Sequence, residues 1–96
     1  MTLAAFRATL GNAAPSADLN GPLRALWWAG KGDWDQAHRI VMDDASRDAA
    51  WVHAYLHRVE GDLGNARYWY REAEKPAASG PLPAEWDAIT RAMLAS

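Results

Sequence analysis

A Gly-Asp pair occurs twice in the chain, at residues 32–33 and at residues 61–62, and each pair interrupts a helical pattern of apolar residues. The offset between the pairs is 61 minus 32, or 29 residues. Aligning the pairs superposes, in order, Trp28 and His57, Trp34 and Leu63, Ala37 and Ala66, and Val41 and Tyr70. Such internal similarity is typical of helical hairpins that stack side by side, so it predicts two of them.

Helix start and stop signals indicate where the predicted helices begin and end within one domain, residues 1–96. Leu3 and Phe6 begin an apolar stripe with helical spacing. Pro22 and Pro83 stand where a proline opens a helix without losing a hydrogen bond. The predicted all-α fold therefore has an N-terminal helix at 1–10, a first hairpin at 22–44, a second hairpin at 50–75 and a C-terminal capping helix at 83–95.

The composition bears on several classes of site and partner. Cysteine is absent, so disulfides, thiol nucleophiles and thiolate metal ligands are excluded. A formal net charge of -2 provides no field that would attract phosphate backbones, so we expect no nucleic-acid partner. No apolar run approaches the ~18 residues of a membrane helix, and the amino terminus lacks the pattern of a secretory signal. We therefore expect a cytoplasmic protein that does not contact membranes.

Aromatic side chains are numerous for a chain of 96 residues, with six Trp, three Tyr and one Phe. Consecutive residues of a helix point about 100° apart, so a run of aromatic residues cannot face one core completely. Two such runs occur, Trp27 with Trp28 and the segment 68–70. We expect part of each run to remain exposed and to contact a protein partner or a second copy of the chain.

The tetratricopeptide repeat has the pattern W-x2-L-G-x2-Y, followed by A-x3-F and then P. Residues 50–76 resemble its second half, with Ala66 and Tyr70 at the alanine and aromatic positions and Pro76 after them. The first hairpin resembles it as well, through Ala25, Trp28, Gly32, Asp33, Trp34, Ala37 and Val41. This resemblance implies stacked helical hairpins and a role as a protein–protein interaction or self-association module.

A second resemblance rests on longer strings of residues. The segments "GDWDQAHRIV" and "WVHAYLHRVEGDLGNARYWY" are similar to short uncharacterised bacterial and fungal proteins. That similarity implies no particular activity.

Two histidines depart from the repeat pattern, because His53 stands where the pattern has leucine and His57 where it has tyrosine. Residues four apart on a helix lie on one face, so the two rings can converge on a common point. Histidine pairs with this spacing are half of many zinc sites. One interpretation is therefore a site for zinc or another divalent transition metal, with a third ligand among His38, Asp43, Asp44 and Asp48.

Two other interpretations of the pair are open at this point. In the first, His53 and His57 are neutral core residues whose ring nitrogens are hydrogen bonded, for example to the hydroxyls of Tyr55, Tyr68 and Tyr70. In the second, a small pocket formed by His53, His57, Arg58 and Tyr70 binds an anion or a small ligand. No serine has the context of an activated nucleophile, so no catalytic residue is predicted and acyl-transfer chemistry has little support.

Overall fold

The computed structural model describes residues 1–96, and all of its regular elements are helices. The elements are α1 (Leu3–Ala8), a 3₁₀ turn (Thr9–Gly11), α2 (Gly21–Gly30), α3 (Trp34–Met42), α4 (Arg47–Val59), α5 (Leu63–Ala73) and α6 (Leu82–Leu94). The predicted all-α class is confirmed. Helix α4 begins before residue 50, because the Ser46 side chain accepts a hydrogen bond from the backbone N–H of Ala49 and caps it.

The two Gly-Asp pairs adopt the same local structure. Gly32 and Gly61 have φ values of +85° and +86°, a region that favours glycine because it has no Cβ. The side chains of Asp33 and Asp62 each accept a backbone N–H of the helix that follows and so cap α3 and α5. The Asp62 N–H donates to the carbonyl of His57, which lies in the last turn of α4. The repeated pair thus reverses the chain in the same way twice.

The helices pack in sequence order around α4. Helix α2 packs against α3 and α4 against α5, while α4 also contacts α2, α3 and α6. The larger side chains that are fully buried in this packing are Phe6, Leu26, Trp27, Val41, Val52, Leu56, Ile89 and Thr90. Helix α6 is held to α2 by the indole N–H of Trp86, which donates to the carbonyl of Leu26 at 2.8 Å. None of the helices combines the length and the apolar character that a bilayer span requires.

We expect Gly30→Ala to destabilise the fold by about 1 kcal/mol, because the 3₁₀ turn, α2 and α6 meet there so closely that an added methyl group must displace a neighbour. The added Cβ would lie 3.0 Å from Trp86, which its indole bond holds in place, and 3.1 Å from Leu10. Gly64→Ala is the control, since its Cβ meets only Arg67, at 3.9 Å, and helix propensity then stabilises by up to ~1 kcal/mol. Urea unfolding of both variants measures the difference, and a Gly30→Ala protein as stable as Gly64→Ala would contradict this packing.

Candidate functional site

The chain's three histidines meet between α3 and α4. His53 and His57 lie one turn apart on α4, and their rings are stacked with centroids 4.8 Å apart. His38 enters from α3 with its ring centroid 4.8 Å from that of His53 and 5.5 Å from that of His57. Of the third-ligand candidates from the sequence, His38 is therefore the one that the fold brings to the pair. Asp43 and Asp44 instead line a separate surface cavity beside Trp69.

Two tryptophans hold the outer faces of this cluster. Trp34 stacks on His38 with centroids 4.6 Å apart, and its indole N–H donates to the carbonyl of Leu56 at 2.7 Å. That bond ties α3 to α4 one residue before His57. Trp69 of α5 stacks on His53 with centroids 4.0 Å apart. Both aromatic contacts exclude water from one side of an imidazole and fix its orientation.

The ring nitrogens of the cluster find few partners in the protein. The Nε2 atoms of His38 and His53 lie 3.1 Å apart, and Nδ1 of His57 lies 2.5 Å from Oε1 of Glu60. His53 is only 4% exposed, and its Nδ1 atom is buried with no hydrogen-bond partner. Buried polar atoms are hydrogen bonded in most native structures, so an unpartnered one needs a specific explanation. His53 is consequently not a fully satisfied core histidine.

Burial and neighbouring imidazoles favour the neutral forms of His53 and His38. Burial is the largest cause that lowers the pKa of His53 from 6.5 to about 4, and repulsion by the nearby His57 and His38 adds to it. Desolvation and then His57 also lower the pKa of His38. A neutral imidazole has one nitrogen with a free lone pair, which is the form that binds metal ions.

The geometry of the cluster is compatible with a metal ion. One ring nitrogen from each of the three histidines can be chosen so that all three lie within 4.8 Å of one another. A tetrahedral ion with bonds of about 2.0–2.1 Å to imidazole separates two ligand nitrogens by about 3.3 Å, close to the 3.1 Å between His38 and His53. Imidazole suits zinc, copper, nickel and iron, so the donor set selects a transition metal over calcium or magnesium.

Comparison with protein-family models, with curated proteins and with solved structures finds no match for this chain. The function is therefore inferred from the residues themselves.

The other two predicted site residues lie in a different cluster. Arg58 donates to Oε1 of Glu85 at 2.9 Å and to the carbonyl of Gly80, and the Tyr70 hydroxyl donates to the second carboxylate oxygen of Glu85. Burial and this bond to Glu85 raise the pKa of Tyr70. Arg58 and Tyr70 thus join α4, α5 and α6 through one buried carboxylate. Their ligand-binding role stays a prediction.

Glu60, Glu85 and Trp69 take part in these clusters without having been predicted to do so. Glu60 follows His57 by three residues, a spacing at which the side chains of a helix meet. Their contact could therefore have been predicted from the sequence. Tyr70 was a candidate hydrogen-bond partner for the histidines, but it contacts Glu85 instead. Contacts with Glu85 and Trp69 depend on how separate helices pack, and a single sequence gives no signal for them.

We expect the metal-free protein to lose stability as the pH falls from about 6.5 to about 4, by on the order of 3 kcal/mol. In this interval the unfolded chain binds a proton at His53 that the folded chain excludes, so the free energy of unfolding decreases with pH. His38, whose pKa is also lowered by burial, contributes to the same loss of stability at low pH. The carboxylate that contacts the cluster is that of Glu60, which is hydrogen bonded to His57. Urea unfolding across this interval measures the slope.

His53→Leu is the matched variant for that slope, because it removes the titrating group and fills the same buried space with an apolar side chain. We expect its stability to vary less with pH than that of the wild type. Equal slopes for the two proteins would contradict the assignment of the pH dependence to His53.

Proposed function

We propose that this protein binds a divalent transition metal ion, such as zinc, through His38, His53 and His57. The observation that carries the proposal is the convergence of all three histidines of the chain on one point between two helices. Three protein ligands with a fourth position left for water or another ligand are typical of zinc sites that are not purely structural. The proposed activity is binding, and no reaction is assigned to the ion.

The unpartnered nitrogen of His53 supports the proposal. If His53 served only for packing, both of its ring nitrogens would be expected to have hydrogen-bond partners. Leucine at this position would cost less free energy to bury than an imidazole with an unpartnered nitrogen. His53 is instead buried, neutral and paired only with another histidine, through Nε2. A metal ion supplies a strong interaction for such a cluster, and so explains why imidazoles occupy this part of the interior.

An ion at this position would join the two halves of the repeated pattern. His38 belongs to α3, in the first half, whereas His53 and His57 belong to α4, in the second. Because ligands that bind only the folded state stabilise it, the ion would strengthen the α3–α4 contact. Zinc at 100 times its dissociation constant is expected to raise the free energy of unfolding by about 2.7 kcal/mol.

Calorimetric zinc titration of tag-free protein tests the proposal. We expect one ion per chain, and loss of that binding in both His53→Leu and His57→Tyr, which restore the residues of the tetratricopeptide pattern. Both variants should fold, because apolar packing replaces a polar cluster. Asp43→Asn is the control, since it removes an exposed carboxylate that lies outside the cluster. Zinc binding that survives in either histidine variant, or no binding by the wild type, would refute the proposal.

A second candidate function is protein–protein interaction by a tetratricopeptide-like stack of two hairpins, in the cytoplasm. The equivalent turns at Gly32 and Gly61 support the repeat arrangement. Helix α5 makes its extensive helix contacts with α4 alone, and it carries the exposed side chains of Leu63 and Tyr68. Large apolar residues exposed on a helix with few neighbours are the kind of surface on which a partner or a second copy packs.

Sedimentation velocity over a range of concentrations tests the self-association form of this candidate. We expect the wild type to dimerise and Leu63→Ser with Tyr68→Ser to remain monomeric with unchanged helix content. Arg67→Ser is the control, because Arg67 lies on the same helix and is exposed but is not apolar. A monomeric wild type at the highest concentration would exclude a dimer through this face.

A further inference from the structure

Glu60 caps the C-terminal end of helix α4, and its carboxylate contacts the histidine cluster directly. Its Oε1 atom lies 2.5 Å from Nδ1 of His57, three residues earlier in the chain. The His57 side chain is 8% exposed and that of Glu60 is 40% exposed, so the carboxylate approaches the buried ring from the solvent side. No other carboxylate is hydrogen bonded to the three histidines.

This contact determines which nitrogen of His57 carries its proton. An ionised carboxylate has no hydrogen to donate, so Nδ1 of His57 must be the donor. In a neutral imidazole the other nitrogen, Nε2, then carries the free lone pair. Metal-binding histidines commonly donate their second ring N–H to a carboxylate, which fixes the tautomer and the ring orientation and makes the ligand nitrogen more basic.

The other two histidines lack such a partner. Their Nε2 atoms face each other at 3.1 Å, so only one of the two can be protonated at that atom. Nδ1 of His53 has no partner at all. His57 is therefore the one histidine of the cluster whose tautomer is fixed by a carboxylate before any ion binds.

We propose that Glu60 is a positioning residue of the metal site, which holds His57 with Nε2 as its ligand atom and does not itself bind the ion. This inference rests on the proposed metal-binding function. A competing arrangement is also available, because ligand atoms of His57, Glu60 and Asp62 lie within 4.8 Å of one another. Asp62, however, already caps α5 by accepting the backbone N–H of Asn65, and both carboxylates are exposed.

Two substitutions separate the charge of Glu60 from its role as a hydrogen-bond acceptor. Glu60→Gln keeps an oxygen that can accept the N–H of His57 but loses the negative charge, and Glu60→Ala loses both. Glu72→Gln is the control, because it removes an exposed carboxylate of α5 that lies outside the cluster. Zinc affinity is measured by competition with a chelating dye, and the His57 tautomer is measured by ¹⁵N NMR of the metal-free protein.

We expect Glu60→Ala to bind zinc about 10–100-fold more weakly than the wild type, with Glu60→Gln between them and Glu72→Gln unchanged. The ¹⁵N spectra should show His57 protonated at Nδ1 in the wild type and in Glu60→Gln, and a mixture of tautomers in Glu60→Ala. A loss of affinity that came only from general destabilisation would leave this tautomer unchanged.

Three results would overturn the inference, and they can be told apart. Equal zinc affinity and an equal tautomer in the wild type and Glu60→Ala would remove the positioning role but leave the metal site. Two ions per chain, with one lost in Glu60→Ala, would make Glu60 a ligand. No zinc binding by the wild type would refute the proposed function together with this role.

Discussion

Helix α4 lies in the interior of the fold, so its polar side chains must find partners on the neighbouring helices. This helix contacts α2, α3, α5 and α6, and every residue from 52 to 57 is buried. A helix enclosed in this way is expected to be apolar on all sides. Helix α4 is not, because two of its buried side chains are imidazoles. A chain without cysteine cannot offset their burial cost with disulfides. The polar groups on α4 therefore need partners on the helices that surround it.

Different faces of α4 provide these partners in different ways. His53 and His57 meet His38 of α3 and are covered by Trp34 and Trp69. Arg58, the next residue after His57, points about 100° away around the helix and reaches Glu85 of α6. The arginine and the buried carboxylate of Glu85 neutralise and hydrogen bond each other, as a buried charge requires. The histidine cluster is less completely paired, because Nδ1 of His53 has no hydrogen-bond partner, and this difference supports its role as a ligand site.

The parts of the fold that local signals determine could be predicted from the sequence. The Gly-Asp pairs predicted both helix reversals, because a glycine with positive φ and a capping aspartate act within a few residues. Helix α4 begins at Arg47, three residues before the predicted hairpin at 50–75, because Ser46 caps it; the apolar periodicity alone gives no signal for these first residues. In the site, the i and i+4 spacing predicted that His53 and His57 share a face. The approach of His38 depends on the packing of α3 against α4, so the sequence could offer it only as one of four candidates.

X-ray absorption at the zinc edge of the loaded protein tests whether the three histidines bind the ion, because it reports the atoms that surround zinc. We expect three imidazole nitrogens at about 2.0–2.1 Å and one oxygen ligand from solvent. A spectrum dominated by oxygen ligands with one imidazole or none would show that zinc binds to surface carboxylates. In that case the three histidines would not be the metal site.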